Sequence, residues 1–130
     1  MKKPSIPPSL QIPPNLQTLL SKWQGILRLQ DWEIVIGYRR IFDMREPGEA
    51  GNCQFVVEGK RASIAILDPA DYDPATPFPF DVERVVVHEL VHLHLAMWNA
   101  EGTDLKCLEQ AVESLASALV CADRGTCARN

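Results

Sequence analysis

The sequence predicts an α+β domain. It starts with an amphipathic helix and a small three-stranded, largely antiparallel sheet, followed by a buried helix and a last helix antiparallel to it. Three observations predict this. Leu16, Leu19, Leu20, Trp23 and Leu27 recur at helical spacing. Three β-branched or aromatic runs follow, separated by turn-forming segments. The second half then holds two long apolar-periodic segments divided by Glu101-Gly102-Thr103. A chain of 130 residues makes one domain with a modest core.

Residues 1–14 carry Pro4, Pro7, Pro8, Pro13 and Pro14 and read as an extended, polyproline-like arm. Asn15 caps the first helix, which is expected to run to about Leu29. Trp32-Glu33-Ile34-Val35-Ile36-Gly37-Tyr38 reads as a strand, and residues 43–52, with Pro47, Gly48 and Gly51, as a loop. Cys53–Val57 and Ala62–Leu67 form a hairpin turning at Glu58-Gly59-Lys60. Four prolines between Asp68 and Phe80 exclude a regular element there. Asp81 caps a helix to about Asn99 that is apolar nearly all round, as a central helix must be. Thr103 or Asp104 starts the final helix to about Ala122. The folded domain is therefore residues 15–122, with 123–130 as a tail.

Composition narrows the function. The net charge is −4 and no Lys/Arg cluster exceeds the pairs Lys2-Lys3 and Arg39-Arg40, so no electrostatic footprint for nucleic acid is present. The longest apolar stretches are interrupted by His, Glu or Asp, which leaves no membrane-spanning run. The N-terminus lacks the apolar segment of a secretory signal, so a cytoplasmic protein is expected. Cys53, Cys107, Cys121 and Cys127 form no Cys-x-x-Cys pair and are expected as free thiols, with a Cys121–Cys127 disulfide the lesser alternative.

The chemistry concentrates at residues 88–92, His-Glu-Leu-Val-His, inside the apolar run from Val85 to Leu93. Two histidines four apart stack on one helix face, where both imidazoles can reach one Zn²⁺. Glu89 sits beside that metal without ligating it, placed to act as general base on an activated water. The competing reading is a core helix whose histidines are satisfied by hydrogen bonds. Burying such groups unpaired costs about 1–3 kcal/mol each, more for the carboxylate, and a metal ion removes that cost directly.

A catalytic zinc takes three protein ligands and keeps one position open. The candidates for the third are His94, Glu101, Glu109 and Glu113. His94 lies about 240° round the helix from His88 and about 200° from His92, so it points away and suits a core or interface role. If the last two helices are antiparallel, Glu109 and Glu113 both stand near the height of the histidines. Leu105, Leu108, Val112, Leu115, Ala116 and Leu119 define the buried stripe; Glu109 falls about 60° from its centre and Glu113 about 100°. Glu109 is thereby the ligand, and Glu113 the acceptor for the free imidazole N–H of His88, fixing its tautomer. The exchanged assignment stays open.

His88-Glu89-Leu90-Val91-His92 followed by Glu109-x-x-x-Glu113 resembles the gluzincin metallopeptidases, over roughly residues 16–122. The short length is similar to minimal, intracellular gluzincin-like domains of bacteria and phages. Glu113 departs from the aspartate of the better-known secreted members. The resemblance implies a minimal zincin-like domain with one Zn²⁺ per chain. It also implies hydrolysis of peptide bonds and a protein or peptide substrate paired along an edge strand, for which residues 62–67 are the candidate. The Pro-rich loop 68–80 would form one rim of the cleft. An oxyanion donor is expected among Tyr38, Tyr72 and His94. A rival of another class is a zinc-binding regulatory or interaction protein of the same fold without turnover.

Overall fold

In the computed structural model, which describes residues 12–97 and 102–125, helix α1 (Leu16–Ile26) begins where the Asn15 side chain accepts the Thr18 N–H. It buries Leu16, Leu20 and Trp23. It stops short of Leu29 because Arg28 takes a left-handed conformation, φ 59°.

Three strands follow, β1 (Glu33–Arg39), β2 (Gly51–Val56) and β3 (Arg61–Leu67), in the order β1-β3-β2. The β2–β3 hairpin is antiparallel, with Cys53 opposite Ile64. Its turn places Lys60, not Gly59, in the left-handed region, at φ 51°. β1 pairs with β3 in parallel, Ile36 opposite Ile64, so the sheet is mixed and not largely antiparallel. The reason is topological. β2 takes one edge of β3, and β1 fills the other edge running in the same direction as β3. β3 is consequently central, and residues 64–67 of it are buried without a break.

Helix α2 (Val82–His94) starts at Asp81, whose side chain accepts the Arg84 N–H. It ends at His94, short of the expected Asn99. The N–H groups of Leu95 and Ala96 turn back to His92 and Leu93 while both side chains join the core. No Gly or Pro marks that end, so the packing imposes it. Helix α3 (Thr103–Arg124) runs a little beyond Ala122 and closes on Gly125 in the left-handed region. Val86, Val87 and Leu90 of α2 are fully buried, together with Val112 of α3, Trp23 of α1 and Ile66 of β3. α2 is thus the central helix, between the sheet and α3.

One polar cluster ties all three helices. Glu83 accepts from the Trp23 indole at 2.7 Å, from Lys22 at 2.8 Å and from Arg124 at 3.0 Å. Arg124 also grips both oxygens of Asp81. Cys53 and Cys107 are free thiols, but Cys121 is disulfide-bonded, which corrects the expectation of four free thiols. Cys127, the arm before residue 12 and Glu101 lie outside the described residues. No described helix is long and apolar enough to cross a membrane.

Candidate metal centre

α2 presents His88 and His92 on one face, ring centroids 5.2 Å apart, with Glu89 buried beside them on the β2 side. The antiparallel course of α3 brings its acidic residues to that face in reverse order. Glu109 Oε2 lies 2.9 Å from His92 Nε2, and Glu109 Oε1 lies 3.4 Å from His88 Nε2. Glu113 Oε2 lies 2.7 Å from His88 Nδ1. A carboxylate there favours the proton on Nδ1, with Nε2 on the side of Glu109. Ligand atoms of His88, His92 and Glu109 all fall within 4.8 Å of one another, a group that can hold a metal ion.

Burial pushes the Glu89 carboxyl up to about 7; His88 opposes the shift, while Glu109, Glu49 and Glu113 add to it. Burial also lowers the pKa of the His92 imidazole, against the pull of Glu109. The neutral imidazole so favoured is the ligating form.

The triad opens into a cleft of about 660 Å³. One wall is β2, through Gly51, Cys53 and Phe55; Glu49 and Arg84 lie on the rim. Gly51 is required by close approach. A Cβ there would stand 2.7 Å from Val85 Cγ1, 3.1 Å from Glu89 Oε2 and 3.2 Å from the Ala65 carbonyl oxygen. Cys53 faces the same cleft, and burial with the Glu89 charge pushes its thiol up to about 12, so it stays protonated. Glu49 Oε1 accepts the N–H groups of Arg45 and Glu46 and the Asn52 amide, which shapes the loop leading into β2.

β2 is an edge strand. The Leu67 N–H donates to the Ala50 carbonyl. By antiparallel alternation, Asn52 and Gln54 bond inward to β3, while Gly51, Cys53 and Phe55 turn their N–H and C=O groups outward. Residues 62–67 belong to central β3 and are hydrogen-bonded on both sides, which removes them as a docking edge.

The three oxyanion candidates are all engaged elsewhere. The Tyr38 hydroxyl donates to the Pro14 carbonyl at 2.7 Å, and the Tyr72 hydroxyl to the Phe78 carbonyl at 2.7 Å. His94 Nε2 donates to the Leu27 carbonyl at 2.7 Å, tying the end of α2 to the end of α1. None of them lines the cleft. The sequence reading also missed Gly51, Glu49 and Arg84. Only Arg84 carries a sequence signal, its position one helical turn before His88.

No family model, curated protein or solved structure matches the chain.

Proposed function

We propose that the chain is a zinc-dependent peptidase in which His88, His92 and Glu109 hold the ion. The observation that carries this reading is the convergence of two imidazoles and one carboxylate within 4.8 Å, beside a buried glutamate that faces the same cleft. Two nitrogens and one carboxylate oxygen suit zinc and leave a position open. When bound, such an ion acidifies water and polarises a carbonyl.

The chain's own residues do the rest. Glu89 takes the proton of the attacking water and delivers it to the leaving amine. Glu113 keeps His88 protonated at Nδ1, so Nε2 stays available for the ion. The outward N–H and C=O groups of Gly51, Cys53 and Phe55 pair with an extended substrate main chain. This gives to β2 the task that the gluzincin resemblance implies for residues 62–67.

The test is cleavage of a peptide library by zinc-replete protein, wild type against Glu89→Gln. The expected result is cleavage by the wild type and a loss of about 10²–10⁴-fold in the variant, with zinc retained. A zinc-replete wild type that cuts nothing, or an equally active Glu89→Gln, contradicts the proposal. The first outcome makes a zinc-binding regulatory protein the better reading.

A further inference from the structure

We propose that Arg84 is a positioning residue for this centre, acting on His88 through Glu113. The inference rests on the metal-binding reading above. Arg84 lies four residues before His88 on α2, so the two side chains share a face. Its Nε is 3.1 Å from Glu113 Oε1, and the other oxygen of that carboxylate, Oε2, is 2.7 Å from His88 Nδ1. Ser117, one turn further along α3, donates its hydroxyl to Glu113 Oε1 at 3.4 Å. The two oxygens are thus divided between an anchored one and one that faces the histidine.

The anchoring is needed for two reasons. Glu113 is about half exposed and, held at one oxygen only, retains the rotamer freedom of a long side chain. Glu109 and Glu113 are also four apart on α3, where like charges repel. A guanidinium answers both needs. Its charge draws Oε1 to the Arg84 side and offsets the repulsion. The consequence falls on His88, whose Nε2 is kept aimed at the point shared with His92 and Glu109.

The test is zinc affinity of the full chain, measured by competition with a chromophoric chelator. The variants are Arg84→Met, Glu113→Ala and the double substitution, each checked by its metal-free melting temperature. Arg84→Met is expected to weaken zinc binding by about two- to fivefold, the range for losing a half-exposed ion pair that acts through Glu113. The double variant is expected to bind no more weakly than Glu113→Ala alone, because Arg84 then has nothing left to hold. Arg84→Lys should restore part of the affinity, because it keeps the charge opposite Glu113. If Arg84→Met lowers the melting temperature, Arg84→Gln repeats the measurement. Unchanged affinity in the Arg84 variants overturns the proposal. So does an equal loss in the Glu113→Ala background, the mark of a merely structural residue. A wild type that takes up no zinc overturns the metal reading itself, and the positioning role with it. A zinc-binding wild type with unaffected Arg84 variants removes the positioning role alone.

Discussion

Glu89 is the one buried charged side chain among the described residues, and its carboxyl is pushed up to about 7 by that burial. In the proposed peptidase Glu89 must be deprotonated at working pH, and a divalent cation bound beside it would supply the charge that favours this. Its position is set from the opposite side by Gly51. Gly51→Ala would bring a methyl group within 2.7 Å of Val85 Cγ1 and 3.1 Å of the Glu89 carboxylate. We expect a stability loss of about 1–3 kcal/mol in urea unfolding. Peptide cleavage should fall by about 10²-fold with zinc content unchanged, as expected for a base moved by a fraction of an ångström to an ångström. Wild-type cleavage by a folded Gly51→Ala would contradict this placement. His88, Glu89 and His92 were legible because helical spacing alone puts two imidazoles on one face. Gly51 was not, because its meeting with Glu89 is made by the sheet packing on α2. Arg84 escaped for a similar reason: its role depends on Glu113 coming from another helix.

At the scale of elements, α2 is held by its apolar faces and by the ties at its N-terminus. Leu90 is fully buried, so Leu90→Ala should cost about 2–5 kcal/mol in urea unfolding. A cost under 1 kcal/mol would mean that α2 is not the centre of the core. The N-terminal tie is pH-dependent. The Arg124 guanidinium beside Asp81, helped by the Arg84 N–H, holds that carboxyl below the usual carboxylate range despite its partial burial. The folded chain therefore binds fewer protons here than the unfolded chain. The contribution is complete above the ordinary aspartate value of about 3.9 and is lost as pH falls through the lowered one. Asp81→Asn should be less stable than wild type at neutral pH, and the gap should narrow on acidification. A gap that widens in acid would contradict the tie. Asn15 and Asp81 were readable as caps because their side chains precede apolar periodic runs. The parallel course of β1 was not readable, since an apolar strand carries no mark of its direction. The end of α2 at His94 was equally hidden, because core packing of Leu95 and Ala96, not a breaker, sets it.

For the molecule as a whole, the cleft lies where the open edge of the sheet meets the α2–α3 pair, so its walls draw on both halves of the chain while the triad joins α2 to α3. Binding there must couple to global stability. At free zinc 100-fold above its dissociation constant, the wild type should gain about 2.7 kcal/mol. A chelator should remove the gain, and His92→Ala should never show it. Equal melting temperatures with and without zinc would contradict the coupling. The order of helix, strands, hairpin and two helices was legible in the sequence, as was the antiparallel contact that brings Glu109 to the histidines. The strand order β1-β3-β2 was not, since it depends on which edge of β3 each neighbour takes.

In the proposed centre, His88, His92 and Glu109 grip one metal ion. A crystal structure of zinc-loaded protein, with anomalous differences collected at the zinc edge, tests it most directly. One peak is expected, about 2.0–2.1 Å from Nε2 of both histidines and about 2.0–2.2 Å from a Glu109 oxygen. A map with no peak there, or with zinc ligated elsewhere while these three side chains point apart, would contradict it.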